Sequence, residues 1–226
     1  QGKRQVGSTF KPFVYATAIN QLKLSPCDEF PISPYTIPEG KYGNPKAWTP
    51  ENSDLKYSGT LTLKEALANS VNSMSARMID MVGPQNVIRL AKAAGITNDI
   101  HSGPSIALGS VELTLYEMVG AYAMFANKGL RVDPMMITRI EDKNGTILAQ
   151  FSPKTQEVLS EESAYVVLDL LKGVTTAGSG IRLRTTVQRP GYVTGYPYDF
   201  QNHIAGKTGT TQNQSDGWFM GITPGL

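Results

Sequence analysis

The strongest constraint on the fold is a series of helix signals between residues 60 and 129. Thr62 and Glu65 have the Thr-x-x-Glu spacing of a capping box, in which each side chain satisfies a free N–H group at a helix start. Thr114 and Glu117 repeat this spacing. The two apolar segments between the boxes both end at a glycine, a residue that favours helix termination. The middle of the chain is therefore predicted to be helical.

Strand signals follow this helical part. Asn144-Gly145 is predicted to be a two-residue turn that joins two strands into a hairpin. After a further helix capped by Ser160, the segments HIAGKTGTT and DGWFMGIT are predicted to be neighbouring strands. This order predicts an α+β fold, and the expected division is one domain over residues 1–226.

Two segments have the composition of loops. Residues 25–60 contain six prolines together with Gly, Asn and Tyr, which predicts a long surface loop with little regular structure. Residues 178–202 are rich in Gly, Pro and Tyr and are predicted to be a loop as well.

Composition excludes several classes of function. The formal net charge is only +2 and no dense basic run is present, so neither nucleic acid nor a membrane surface is indicated as a partner. With Cys27 as the one cysteine and only two histidines, no intrachain disulfide, structural zinc site or other metal site is expected. No apolar run approaches the length of a membrane-spanning helix.

Ser8 and Lys11 stand three positions apart at the start of an apolar segment that is predicted to be a buried helix. Ser53 and Lys56 repeat this spacing among turn-forming residues, and roughly one such match is expected by chance. Spacing alone therefore does not distinguish a reactive pair from two residues on one helix face. The second pair serves as an internal comparison for the first.

Two further motifs give the Ser8 pair a context. Ser70 and Asn72 form the only Ser-x-Asn of the chain, and residues 207–209 form the only Lys-Thr-Gly. The first is expected about once by chance, the second on the order of one time in ten. The order Ser-x-x-Lys, Ser-x-Asn, Lys-Thr-Gly is shared by active-site serine penicillin-binding proteins and class A β-lactamases.

The chemistry of acyl transfer suits these residue types. A serine hydroxyl is a poor nucleophile until a base takes its proton, and Lys11 lies one helical turn after Ser8. Keeping a lysine neutral at pH 7 costs about 4–5 kcal/mol. Burial and a second cation both reduce that cost, and Lys207 is the candidate for the second cation.

The other motif residues offer groups to a peptide-like substrate. The Ser70 hydroxyl can pass a proton to a leaving amine, and the Asn72 amide can hold a peptide. The Thr208 and Thr210 hydroxyls can bind a carboxylate. The backbone N–H groups of Ser8 and Thr210 form a candidate oxyanion hole.

Longer segments resemble the transpeptidase domain of a class A, bifunctional penicillin-binding protein over nearly the whole chain. They are GSTFKPFVYATAI, YSGTLTLKEALANSVN, ALGSVELTLYEMVGAYAMFANKG, and AGKTGTT with the later DGWFMG. The resemblance implies the penicillin-binding-protein/β-lactamase-like antiparallel sheet between helical layers, here truncated at both ends. It implies the catalytic residues Ser8, Lys11, Ser70 and Lys207 and the substrate-binding residues Asn72, Thr208, Gly209 and Thr210.

The same resemblance implies a function. The expected activity is that of a D,D-transpeptidase that cross-links peptidoglycan stem peptides ending in D-Ala-D-Ala, without a cofactor, through an acyl-enzyme that β-lactams also form. The full-length protein is expected to carry an upstream glycosyltransferase domain and a membrane anchor, and to lie at the outer face of the bacterial cytoplasmic membrane. Residues 181–202 depart from the usual short connection of the family, so no role is carried over to them.

Several alternatives stay open at this point. A D,D-carboxypeptidase uses water as the acceptor, and a penicillin-sensing receptor domain uses the same serine without turnover. A class A β-lactamase requires a Glu-x-x-Leu-Asn string, which is absent here. Trp48 is left open as a cleft residue, whereas Trp218 and Phe219 are predicted to pack and His203 to be structural.

Overall fold

The structure, a computed structural model, describes residues 2–185, 187–189, 192–194, 200–211 and 216–224. Within them the helices are α1 (Lys11–Leu22), α2 (Leu63–Ala68), α3 (Asn72–Val82), α4 (Pro84–Ala93), α5 (Leu115–Ala126) and α6 (Glu161–Thr176). The strands are β1 (Arg4–Gln5), β2 (Glu29–Pro31), β3 (Thr60–Thr62), β4 (Glu112–Leu113), β5 (Leu130–Val132), β6 (Arg139–Glu141), β7 (Ile147–Gln150), β8 (Thr155–Glu157), β9 (Val187–Arg189), β10 (Tyr192–Thr194), β11 (Ala205–Thr210) and β12 (Gly217–Ile222). The predicted α+β fold is confirmed.

The described strands form antiparallel pairs. The pairs are β1–β4, β2–β3, β5–β8, β6–β7, β9–β10 and β11–β12. The predicted pairing of the last two segments is confirmed, with Lys207 opposite Met220. The pair β11–β12 packs against α5 and α6 and against a 3₁₀ turn at Gly7–Phe10. This packing places the Lys-Thr-Gly strand beside the turn that carries Ser8.

Helix α1 lies at the centre of the molecule. Its residues from Lys11 to Ile19 are all buried, and it packs against α3, α4 and α6. Pro12 fits because the N–H groups of a first helical turn have no acceptor within the helix. The Phe13 ring contacts the rings of Tyr122 and Phe125, with centroids 5.7 and 5.6 Å away. The predicted buried helix is confirmed, and Ser8 lies in the 3₁₀ turn directly before it.

The predicted helix caps are confirmed. Both Thr-x-x-Glu pairs form complete capping boxes, and the Ser160 hydroxyl accepts the N–H of Ser163. The prediction for the Asn144-Gly145 hairpin is right in its strands and wrong in its turn. The Asp142 carboxylate accepts the N–H groups of Asn144 and Thr146, so the turn begins at Asp142 and Gly145 follows it with φ +83°.

The two predicted loops have different outcomes. Residues 25–60 are mostly irregular, with the short strand β2 and a 3₁₀ turn at Lys41–Gly43, so the loop prediction is largely confirmed. In 178–202 the prediction is wrong for β9 and β10, which pair with each other. Residues 186, 190, 191 and 195–199 of that segment lie outside the described residues, as do 212–215 between β11 and β12.

Glu117 ties the loop after α4 to the start of α5. Its carboxylate accepts hydrogen bonds from the backbone and side chains of Thr97, Asn98 and Thr114, at 2.6 to 3.1 Å. Burial alone would raise the pKa of Glu117, but these donors outweigh it and lower the pKa from 4.5 to about 2. This glutamate is structural, as the sequence predicts.

Glu117→Gln should destabilise the fold, and the effect should depend on pH. Because the folded-state pKa is lowered, the carboxylate stabilises the fold above pH 4.5, and this contribution of about 3 kcal/mol is lost as the pH falls towards 2. Urea unfolding at pH 7 and pH 3 measures it. Glu65→Gln is the matched control, because the described hydrogen bonds of the exposed Glu65 carboxylate go only to Thr62. Equal losses in both variants at pH 7 would contradict this account.

Candidate active site

The three sequence motifs meet at one cleft of about 660 Å³. The turn before α1 contributes Ser8, the connection from α2 to α3 contributes Ser70 and Asn72, and β11 contributes Thr208 and Thr210. The two lysines of the motifs lie beneath this surface and are fully buried. The structure thus brings together residues that are up to about 200 positions apart in the sequence.

Two glycines allow β11 to approach the turn that carries Ser8. A Cβ on Gly209 would lie 2.8 Å from the carbonyl oxygen of Val6, and one on Gly7 would lie 2.9 Å from that of Thr210. A side chain at either position would force the backbone apart. Gly209 is buried and is not among the described cleft-lining residues; its observed part is to allow this close approach, and its role in substrate binding stays a prediction.

Ser70 has an unusual backbone conformation for a serine. It follows the last turn of α2 with φ +56°, its N–H donates to Leu67, and the N–H of Val71 donates to Ala66. This is the Schellman ending of a helix, in which glycine normally occupies the left-handed position. A non-glycine residue there carries local backbone strain, and such strain is characteristic of functional sites.

Lys11 is anchored to the Ser-x-Asn turn. Its Nζ donates to the Ser70 carbonyl oxygen at 2.7 Å and to Asn72 Oδ1 at 2.6 Å, and it lies 3.1 Å from Ser70 Oγ. Burial lowers the pKa of Lys11 well below its usual value, and the charge of Lys207 lowers it further. Among the described hydrogen bonds none joins Lys11 to Ser8, which was its expected partner.

Lys207 approaches Ser70 from the other side. Its Nζ lies 2.9 Å from Ser70 Oγ and 3.0 Å from the carbonyl oxygen of Thr208. Burial lowers the pKa of Lys207 to about 7. Burial therefore makes the neutral form of Lys207 easier to reach than in an exposed lysine, whereas the sequence predicts a cation at this position.

The Ser70 hydroxyl lies between two amines and can relay a proton. Lys11 Nζ donates to Ser70 Oγ at 3.1 Å in addition to its bonds to the Ser70 carbonyl and Asn72 Oδ1. Lys207 Nζ donates to the same hydroxyl oxygen at 2.9 Å. The Ser70 hydroxyl therefore contacts both buried lysines of the site.

A comparison of Ser70→Gly with Ser70→Ala should separate the effect of losing the hydroxyl from the effect of the positive φ at this position. Both variants lack the relay and should lose acylation to the same degree. Since glycine adopts positive φ without strain, Ser70→Gly should be more stable than Ser70→Ala by roughly 1 kcal/mol. Acylation rates and urea unfolding of the pair measure the two effects. A glycine variant with near wild-type acylation would show that the hydroxyl carries no proton.

Ser179 is a cleft residue that the sequence analysis missed. Its Oγ lies 2.5 Å from Thr208 Oγ1, and its N–H donates to the Ala68 carbonyl at 2.9 Å. The approach requires Gly178, since a Cβ there would lie 2.2 Å from the same carbonyl oxygen. Ser179 thus connects the end of α2 to β11. The sequence TTAGSG gives only a run of small residues as a signal.

The Ser53/Lys56 pair and the two tryptophans can be placed relative to the cleft. Ser53 lines the cleft, but Ser53 and Lys56 are both exposed. Trp48 lines the cleft as well, which settles the open question about its position. Trp218 is half-buried and donates to the Gln5 carbonyl at 3.0 Å, as expected for packing.

Two remaining predictions concern side chains outside the cleft lining. Phe219 is 43% exposed, and its ring packs over Gly206 and Gly221 of the β11–β12 pair, so it is a packing residue at the surface, as predicted. His203 is exposed. The described residues contain no group of side chains suited to a metal ion and no helix long and apolar enough to cross a membrane.

The chain belongs to the family of penicillin binding protein transpeptidase domains, which it matches over residues 1–225. It is 34% identical over 230 residues to penicillin-binding protein 1A of Neisseria meningitidis serogroup A, a match that covers 99% of this chain and 27% of that protein. It is equally similar to penicillin-binding protein 1A of Aquifex aeolicus, with 34% identity over 223 residues, 98% of this chain and 28% of that protein. The resemblance to class A penicillin-binding proteins is confirmed.

Solved structures show the same fold. Penicillin-binding protein 1A from Haemophilus influenzae superposes with a TM-score of 0.80 at 26% identity, covering 97% of this chain and 36% of that one. An imipenem acyl-enzyme complex of penicillin-binding protein A from M. tuberculosis superposes with a TM-score of 0.73 at 20% identity, covering 99% of this chain and 52% of that one. The chain spans about a quarter of the length of the curated relatives described above.

Proposed function

We propose that this chain is the acyl-transfer centre of a serine D,D-transpeptidase that cross-links peptidoglycan stem peptides. The observation that carries the proposal is the position of Ser70 Oγ, 3.1 and 2.9 Å from the Nζ atoms of two buried lysines, in the cleft that Ser8 lines. A proton relay beside a serine hydroxyl is what covalent catalysis by a weak nucleophile requires.

The proposed reaction has two steps. Ser8 Oγ attacks the carbonyl of the terminal D-Ala-D-Ala bond, the C–N bond breaks, and D-alanine leaves with a proton passed on by Ser70. An amine of a second stem peptide then attacks the ester, forms the new amide bond and releases Ser8. Lys11 is the base for Ser8, since its lowered pKa makes the neutral form accessible near neutral pH.

The other motif residues hold the substrate in this proposal. The Asn72 amide faces the donor peptide, and its own N–H group is fixed by the Glu51 carbonyl at 2.7 Å. Thr208 and Thr210 bind the terminal carboxylate, which Lys207 in its charged form attracts. The backbone N–H groups of Ser8 and Thr210 stabilise the oxyanion.

The proposal extends to the other domains and the cellular location of the full-length protein. The relatives are several times longer than this chain. We place an upstream glycosyltransferase domain and a membrane anchor in the full-length protein, with the transpeptidase domain at the outer face of the bacterial cytoplasmic membrane.

A β-lactam adduct on the full-length protein should persist for many minutes or longer. The Glu-x-x-Leu-Asn string that supplies a deacylating glutamate in class A β-lactamases is absent from the chain. The decay of the penicilloyl adduct, followed by intact mass, tests this directly. Glu51 is the informative control because it lines the cleft. Rapid turnover that Glu51→Gln slows would instead show a hydrolase that uses Glu51.

A further inference from the structure

Asn52 is a buried polar residue of the long loop before β3, and the proposed reaction does not use it. It is 3% exposed, and its side chain donates to the Lys56 carbonyl and accepts the N–H of Ser73, both at 2.9 Å. Its backbone N–H donates to the Tyr57 hydroxyl at 2.9 Å, and its carbonyl accepts the N–H of Leu55 at 3.0 Å. A buried amide that is bonded in this way fixes the segments that it joins.

The bond between Asn52 and Ser73 joins this loop to the start of α3. Ser73 lies in the first turn of α3, where a backbone N–H has no acceptor within the helix. Val71, the residue before α3, gives no side-chain cap, so Asn52 Oδ1 supplies from the loop an acceptor that a local cap would otherwise provide. The loop therefore meets the helix at the residue that directly follows Asn72.

The residue before Asn52 orients the amide of Asn72. The Glu51 carbonyl accepts a hydrogen bond from Asn72 Nδ2 at 2.7 Å. Because a carbonyl oxygen can only accept, the amino side of this amide faces Glu51 and the amide oxygen faces Lys11, whose Nζ donates to it at 2.6 Å. In the reversed orientation two acceptor oxygens would face each other without a hydrogen between them. The position of the Glu51 carbonyl thus selects the orientation that holds Lys11.

We propose that Asn52 is a positioning residue for acyl transfer; this rests on the proposed function of Ser8 and Lys11. Asn52 binds the N–H of Ser73 and directly follows Glu51, so one bond at each of two neighbouring positions connects the loop with the start of α3. Together these bonds place the Glu51 carbonyl against the Asn72 amide. The described hydrogen bonds of Asn52 reach no member of the three motifs, so Asn52 acts through Asn72.

Asn44 is the matched control on the same loop. It is 9% exposed, and its side chain donates to the carbonyls of Pro38 and Lys46 at 3.0 and 2.6 Å. Each of the two asparagine side chains thus has two described hydrogen bonds in a buried position, but those of Asn44 stay within the loop. Asn52→Ala and Asn44→Ala should therefore lower the urea midpoint of unfolding to a similar degree, whereas only Asn52→Ala should slow acylation.

Penicillin acylation of the full-length protein, followed by intact mass, tests the proposal. We expect Asn52→Ala to lower the second-order acylation rate about tenfold and Asn44→Ala to leave it within about twofold of wild type. The decisive measurement repeats Asn52→Ala in an Asn72→Ala background. Since no Asn72 amide is left to position there, the loss should shrink to less than about twofold. A merely structural role of Asn52 would give the same loss in both backgrounds.

Three outcomes would overturn the positioning role and leave the proposed function intact. They are an unchanged rate in Asn52→Ala, equal losses in the two backgrounds, and a loss in Asn44→Ala as large as that in Asn52→Ala. If Asn72→Ala does not react, the comparison with Asn44→Ala decides alone. If Asn52→Ala fails to fold, Tyr57→Phe takes its place in both backgrounds under the same criteria, because it removes the acceptor of the Asn52 N–H. A wild-type protein that penicillin does not acylate overturns both proposals.

Discussion

Lys11→Arg should slow acylation by a β-lactam by about 10²–10⁴-fold, the loss typical of removing a general base. Arginine keeps the positive charge but cannot be deprotonated near neutral pH, so it cannot take the Ser8 proton. The site is built to keep Lys11 neutral, because burial and the charge of Lys207 both lower the pKa of Lys11. Lys11→Arg instead places a permanently charged guanidinium in a fully buried position that favours a neutral group.

Lys207→Arg is the matched variant for Lys11→Arg. It retains a donor for Ser70 Oγ and a charge for the substrate carboxylate, so it should keep more activity than Lys11→Arg. The larger guanidinium group still disturbs the cleft, so some loss relative to wild type is expected. The second-order rate of β-lactam acylation in the full-length protein compares the two. If Lys11→Arg reacts as fast as wild type, or faster than Lys207→Arg, Lys11 is not the base.

The part of the fold that sequence predicts well is governed by local chemistry. The capping boxes at Thr62 and Thr114 form as expected because both partners lie within one helical turn. The order of the three motifs also predicts one shared site, and the structure brings Ser8, Ser70 and Thr208 to one cleft. The roles of these residues stay predictions until they are tested.

The features that sequence does not predict depend on long-range approach. Ser179 reaches Thr208 only because Gly178 packs against Ala68, more than a hundred positions earlier in the chain. Lys11 bonds to Ser70 and Asn72, since carbonyl and amide oxygens from a distant turn offer it two acceptors. A helical spacing of three residues identifies the face on which Lys11 lies, but it contains no information about such partners.

The turn of the β6–β7 hairpin shows how a neighbouring residue changes a local prediction. Asn144-Gly145 favours a two-residue turn, but Asp142 two positions earlier captures two backbone N–H groups. The turn therefore starts at Asp142, and Gly145 takes the position with positive φ.

The identity of the nucleophile is the central claim, and intact mass spectrometry with penicillin tests it most directly. The full-length protein should gain one penicilloyl group, and peptide mapping should place that group on Ser8. Ser8→Ala should abolish the labelling completely, because Ser8 is the cleft serine three positions before the buried Lys11, its proposed base. Ser53→Ala is the control, since Ser53 lines the same cleft and precedes the exposed Lys56 by three positions; it should label like wild type. Labelling that survives Ser8→Ala, or that is lost in Ser53→Ala, would contradict the assignment.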